Sequence, residues 1–208
     1  MGVERIHFLG DAVGYYPESQ EVLERLRERD AVCQMGNHEE MLLAPGGPAP
    51  ENDGVYRIGE LRTRIDPALL EWIRHWPKWR VLPEAGRSTL MVHGSPDDPL
   101  WGYVYPDTDL EPYAQLPHDA FFVANTHRPF VSSIGPRLFA NVGSVGLPRD
   151  RGDLSAVVAY ETLTGSCRLL RVPMPVNAVR ARYGDRVHPA VLDCLTRRPE
   201  TFAGEVLE

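Results

Sequence analysis

Five short apolar runs in this chain each stop at a polar turn, and that repeated arrangement limits the folds open to it more than any other feature. Val3 to Gly10 leads into Asp11, Ala31 to Met35 into Gly36-Asn37-His38-Glu39, and Ser88 to Val92 into His93-Gly94-Ser95-Pro96. Phe121 to Ala124 leads into Asn125-Thr126-His127, and Leu138 to Ala140 into Asn141-Val142-Gly143-Ser144. Apolar runs of this length, bounded by Gly, Pro, Asn and Ser, read as buried strands. In an open α/β sheet, ligands bind just beyond the carboxyl ends of strands, so the residues of these turns are the first candidates for a site.

Between the first two runs, Val22, Leu23 and Leu26 form the apolar face of a helix that opens at Ser19, read as its N-cap, and ends near Arg29-Asp30. Strand, helix, strand predicts a parallel pair joined by a right-handed crossover, which brings Asp11 and Asn37 to one sheet edge. The Gly36-Asn37-His38-Glu39 turn has two readings. It offers an amide oxygen, an imidazole and a carboxylate to a ligand, or it is a helix start, with Asn capping and Glu favoured at the positive end of the helix dipole. His7 lies within its strand and reads as a packed or edge histidine; His75 and His118 read as structural or surface residues.

Ala44 to Gly54, with Pro45, Gly46, Gly47, Pro48 and Pro50, reads as a surface loop, a candidate to move over the site. Asp66-Pro67 opens a second helix, and Trp72, Trp76 and Trp79 read as core aromatics. Ala156 to Tyr160 and Cys167 to Val172, separated by Thr164-Gly165, predict a hairpin; Val176 to Arg197 reads as helical, broken at Gly184 and Pro189. With 208 residues, 43% of them apolar, the expectation is a single domain over residues 1–208. The net charge of −7 argues against general attraction to nucleic acid. Three widely spaced cysteines predict free thiols and no disulfide, and the absence of an apolar run of about 20 residues leaves the cytoplasm as the expected compartment.

Asp11, Asn37, His93 and His127 together offer a carboxylate, an amide oxygen and two imidazoles. Such donors suit Mn, Fe or Zn and are poor for soft-metal thiolate chemistry. Four strand ends supplying them in parallel make a divalent-metal site the working expectation.

In order, Gly10-Asp11, Gly36-Asn37-His38-Glu39, His93-Gly94 and Asn125-Thr126-His127 resemble the motifs of the calcineurin-like metallophosphoesterases. Gly10-Asp11-Ala12-Val13-Gly14-Tyr15-Tyr16-Pro17, His93-Gly94-Ser95-Pro96 and Gly143-Ser144-Val145-Gly146-Leu147-Pro148-Arg149-Asp150 are similar to its small bacterial phosphodiesterase-like branch. The resemblance implies an α/β fold of the four-layer α-β-β-α sandwich type and a two-metal centre. It also implies hydrolysis of phosphate mono- or diesters of a phosphorylated small molecule by metal-bound hydroxide. It makes Asp11 the bridging carboxylate, Asn37 and His93 ligands of the second metal, and His127 a ligand of the first. His38 becomes the outer-sphere acid, with Glu39 orienting its ring.

Two features depart from the family pattern. The sequence begins at what resembles the family's second strand, without the Asp-x-His that supplies two first-metal ligands, and Ala124-Asn125-Thr126-His127 stands where the family has Gly-His-x-His. The expectations that follow are a phosphoesterase weakened at its first metal, or alternatively a non-catalytic fold that binds a phosphorylated ligand or a protein. A strand edge along Ile6 to Leu9 left uncovered predicts a homodimer.

Overall fold

The computed structural model describes residues 2–44 and 51–207. Most of the Pro- and Gly-rich part of the Ala44 to Gly54 loop lies outside the described residues, and the end of that stretch is already helical. The first crossover forms as its pattern predicts: β1 (His7–Phe8), α1 (Ser19–Glu28) and β2 (Val32–Cys33), with β1 parallel to β2 and His7 opposite Val32. Both strands are shorter than their apolar runs, because each finds a single neighbour among the described residues. Ser19 is not the cap. Its hydroxyl accepts the Gly14 N–H at 3.1 Å, and Glu18 occupies the N-cap without a side-chain bond.

The Gly36 turn opens α2 (Asn37–Leu43), with Gly36 rather than Asn37 at the N-cap and the Glu39 carboxylate accepting the Gly36 N–H at 2.7 Å. Two helices without a clear pattern in the sequence follow, α3 (Asp53–Tyr56) and α4 (Ile58–Arg64), separated by Arg57 at φ 62°. α5 (Pro67–Arg74) starts as expected, the Asp66 carboxylate accepting the Ala68 N–H at 2.8 Å. Leu23, Leu42, Ile58, Leu61, Leu69 and Ile73 from these helices close over Cys33 and Met35, burying the helical layer against β1 and β2.

The central sheet contains β3 (Trp79–Glu84), β4 (Arg87–Val92), β5 (Ala120–Val123), β6 (Phe130–Ile134) and β7 (Arg137–Asn141), in the order β3-β4-β5-β7-β6. The three inner strands are parallel and the two edges antiparallel. Strict alternation divides their side chains between two cores. Leu90, Val92, Phe121, Val123 and Phe139 face one side, where the segment ending in the 3₁₀ turn Glu111–Gln115 covers them, while Met91, Ala120, Phe122 and Ala140 face the other. Burial on both faces is why these strands read as continuous apolar runs. β3, an edge strand, leaves Trp79 55% exposed, so that tryptophan is not part of the core read from the sequence; Trp76 is buried.

The predicted hairpin is β8 (Leu154–Glu161) and β9 (Ser166–Pro173), and its inner face packs on the central sheet, Phe122 against Tyr160 at 5.1 Å between ring centroids. α6 (Val176–Tyr183) and α7 (Pro189–Cys194) pack around Tyr15 and Leu147, and β10 (Glu205–Val206) extends the hairpin sheet. The result is a mixed α/β fold of several sheets and helices, the class expected of the sandwich. Cys33, Cys167 and Cys194 are free thiols, and among the described residues no helix is long and apolar enough to cross a membrane.

Candidate metal centre

The turns after β1 and β2 are pressed together, and two glycines make that possible. A Cβ on Gly10 would lie 2.3 Å from the Gly36 nitrogen, and one on Gly36 would lie 2.2 Å from an Asp11 carboxylate oxygen. Gly10 also sits at φ 97°, open to glycine at little cost. The buried Glu39 carboxylate ties the two turns, accepting N–H bonds from Asp11 and Ala12 at 2.8 Å each as well as from Gly36. Burial, then the Asp11 charge, pushes the Glu39 carboxyl up to about 7, against the pull of its amide donors. Glu39 therefore aligns the Asp11 turn. It does not orient the His38 ring, as the resemblance had implied.

Asp11, Asn37 and His93 meet in space. His93 Nε2 lies 3.3 Å from Asp11 Oδ2 and 3.1 Å from Asn37 Oδ1, and the Asp11 Oδ1 accepts the His38 N–H at 3.1 Å. The other ring nitrogen of His93 is 2.7 Å from the Leu9 carbonyl. A carbonyl only accepts, so Nδ1 carries the proton and the neutral ring turns its Nε2 lone pair toward two oxygen acceptors. Three facing lone pairs require a cation between them, either a proton or a metal. Neighbouring ligands held about 2.1 Å from a divalent cation lie about 3 Å apart, so the observed spacings fit such an ion. Among the described residues no group of three or more His, Cys, Asp and Glu side chains is placed to share one cation; here the third donor is the Asn37 amide.

The same tautomer is imposed on the other two histidines. His38 Nδ1 lies 3.0 Å from the Val13 carbonyl and His127 Nδ1 lies 2.8 Å from the Leu147 carbonyl, so each frees Nε2. His38 Nε2 stands 3.9 Å from Asp11, beyond the tight triad, with Tyr15 and Tyr56 packed on its ring at 4.7 and 4.8 Å. Burial lowers the His38 pKa, with Asp11 pulling the other way. Burial and the Arg149 charge bring His127 down to about 3, which keeps it neutral. Asp11 is buried, which would raise its pKa, but His93 and His38 outweigh this and hold it low; His93 moves up, burial being outweighed by Asp11. Asn125 donates its amide N–H to the Gly102 carbonyl at 2.9 Å. His7 sits in β1 with its Nδ1 lacking a partner, away from this cluster, and His75 and His118 lie at the surface as read.

Sequence reading missed four contributors. Tyr15 and Tyr56 hold His38; Asn141, fully buried, donates to the carbonyls of Ala124 and Val104 and to the Thr126 hydroxyl, bracing the turn that presents His127. Its signal was a polar residue closing the Leu138-Phe139-Ala140 run. Arg149 donates to the Tyr15 hydroxyl at 2.8 Å, with no signal but its place after a Gly- and Pro-rich turn. Strain collects here too: Asp11, Tyr15, Asn125 and His127 all have φ between 53° and 60°. Beside the centre opens a cleft of about 330 Å³, lined in part by Tyr15, Tyr105, Thr126, Arg128, Arg149 and Arg197.

The turns after β1 and β2 of one sheet and after β4 of the central sheet bring a carboxylate, an amide and an imidazole together, a donor set for a divalent cation, and residues 1–163 match the calcineurin-like phosphoesterase superfamily domain. The chain belongs to that superfamily. It is 28% identical over 195 residues to an uncharacterised protein of Methanocaldococcus jannaschii, an alignment covering 85% of this chain and 79% of that protein. It is 36% identical over 102 residues to the symmetrical bis(5'-nucleosyl)-tetraphosphatase of Coxiella burnetii, covering 47% of this chain and 34% of that enzyme. The chain thus spans about a third of the length of that relative. Its fold is that of a metallophosphoesterase from Sphaerobacter thermophilus, with TM-score 0.78, 20% identity and coverage of 93% and 88% of the two chains. A hypothetical protein from Pyrococcus horikoshii shares the fold at TM-score 0.74, 18% identity and coverage of 96% and 87%.

Proposed function

We propose that this protein is a metal-dependent phosphoesterase acting on a phosphorylated small molecule. The observation that carries the reading is the convergence of Asp11 Oδ2 and Asn37 Oδ1 on His93 Nε2, whose tautomer the Leu9 carbonyl fixes. Asp11, Asn37 and His93 would hold one divalent cation, Mn, Fe or Zn by donor type, and Asp11 with His127 would serve a neighbouring one. A divalent cation in such a site supplies Lewis acidity and makes water more acidic. Around it, Asp11 contributes the charge that holds the site together, and the Tyr15 and Tyr56 rings keep His38 in place. His38, outside the triad, would have to take up a proton on its free Nε2, against the burial that lowers its pKa, before passing it to the leaving oxygen; in that protonated form it also stabilises the developing charge. The free thiols favour a reducing compartment, and the cytoplasm is the one proposed.

The test is elemental analysis of purified protein, with anomalous scattering from a Mn-soaked crystal and hydrolysis of bis-p-nitrophenyl phosphate with and without EDTA. The reading expects density at Asp11, Asn37 and His93 and activity that EDTA removes. Anomalous density elsewhere with none at this triad overturns the assignment.

A further inference from the structure

We propose that Tyr15 is a further catalytic residue of the phosphoesterase centre, its hydroxyl donating a hydrogen bond to the leaving oxygen of a bound phosphate ester. The inference rests on the phosphoesterase reading and gives a second role to a residue whose ring packs on His38. Tyr15 joins the centre to the cleft. Between centroids its ring lies 4.7 Å from that of His38 and 6.1 Å from that of His127, and the same residue lines the cleft. The five donors of the centre do not line that cleft, so Tyr15 is a side chain through which the two meet. A leaving group that lies in the cleft while its phosphorus sits at the centre carries the scissile bond past this phenol.

The hydroxyl is held with its donor free. Arg149 donates to the phenolic oxygen at 2.8 Å, and a guanidinium cannot accept a bond in return. Among the described residues the hydroxyl has no other bonded partner, which leaves its hydrogen for a group in the cleft. Tyr15 is 8% exposed, and a buried donor without an acceptor is costly. Its backbone is fixed as well, at φ 56° with the N–H bonded to the Tyr56 carbonyl at 2.9 Å; strain of this kind in a non-glycine residue gathers at functional sites. Arg149 is anchored in turn, its N–H donating to the His127 carbonyl at 2.9 Å and its carbonyl accepting from Arg197 at 2.8 Å.

His38 shows why such a donor matters. With its Nδ1–H given to the Val13 carbonyl, the neutral ring presents a lone pair at Nε2 and no proton. The phenol already carries one. Phenols stay protonated near neutral pH, and burial raises this one further, with Arg149 opposing and Asp11 adding to the rise. Tyr15 keeps its proton throughout and stabilises the charge that gathers on the leaving oxygen.

Tyr15→Phe keeps the ring on His38 and removes the donor. With Mn, its kcat for diphenyl phosphate should fall about 10- to 100-fold, and that for bis-p-nitrophenyl phosphate should fall less, because its leaving group needs less help. An equal loss for the two esters, or no loss, overturns the role. If Tyr15→Phe does not fold, Arg149→Met, which leaves the phenol in place but unheld, should show the same dependence on leaving group, and an equal loss there overturns the role too. Calorimetric titration of inorganic phosphate into the Mn-loaded protein reads the contact without turnover. One phosphate oxygen takes the leaving oxygen's place, so Tyr15→Phe should weaken binding about tenfold. The weakening should persist in His38→Ala, where a tyrosine that acted solely by holding His38 has nothing to hold; its disappearance there overturns the direct contact. A wild type that binds phosphate but hydrolyses neither ester loses the catalytic reading, and the contact then stands or falls on that weakening. A wild type that neither binds phosphate nor hydrolyses either ester overturns both.

Discussion

His38 and Asp11 sit within 3.9 Å of each other yet divide the work differently. A group that donates a proton without ligating affects the leaving oxygen, so His38→Ala should lower kcat about 10²- to 10⁴-fold while cation content stays at the wild-type value. Asp11→Asn removes the charge facing His93 and should lose activity and cation together, as elemental analysis of the two variants would read directly. The pH dependence has a definite sign. In the metal-free protein His93 is raised above its ordinary 6.5 by Asp11, so the pair's stabilisation is complete below about pH 6.5 and is lost as pH rises through the raised His93 value. A divalent cation takes the proton's place. Melting temperature followed from about pH 6 to about pH 9 should fall in EDTA and hold steady in Mn; identical slopes in the two conditions would refute the shared site.

Two strand-end turns, rather than any single side chain, set the spacing of the centre. Gly36→Ala places a methyl against the Asp11 carboxylate and backbone, so the turns after β1 and β2 must part, and cation affinity measured by calorimetry should fall by more than the loss of melting temperature suggests. A second junction lies beneath the hairpin sheet. Arg171, fully buried in β9, makes two bonds to Asp150, at 2.6 and 3.1 Å, and donates to the Leu154, Ser155 and Ala203 carbonyls. Removing the carboxylate strands that charge, so Asp150→Ala should cost about 3–5 kcal/mol in chemical denaturation. An arginine alternating with apolar residues along a strand reads as solvent-facing; only the stacking of β9 beneath the Asp150 turn turns it inward.

For the whole molecule, the prediction concerns the edge at β1. That strand pairs with β2 alone among the described residues, and Ile6 beside it is 43% exposed. An edge of this kind invites pairing, and a symmetric dimer is the commonest way to meet it. Size-exclusion chromatography with light scattering should give twice the chain mass, with slow hydrogen exchange at His7 and Phe8. A stable monomer whose β1 amides exchange rapidly would contradict it.

The sequence by itself determined the five apolar runs that end in polar turns, the parallel crossover joining β1 to β2, the closing hairpin and the four strand-end donors. Each of these depends on local periodicity and on turn residues, which the chain carries within a few positions. The order of the strands in the central sheet, and its edge strands β3 and β6, came only with the fold. Whether Asp11, Asn37 and His93 meet within 3.3 Å was decided by tertiary structure, through two glycines in contact and a buried Glu39 bonded to three amides. The ring tautomers were settled there as well, since the carbonyls of Leu9, Val13 and Leu147 lie 20 to 84 residues from the histidines they orient. The roles of Arg149 and Tyr15 were illegible for the same physical reason: they are hydrogen bonds and packing across distant segments, and such contacts leave no periodic trace in the chain that makes them; Asn141 was marked by its place at a strand end, but not its bonds to Val104, Ala124 and Thr126.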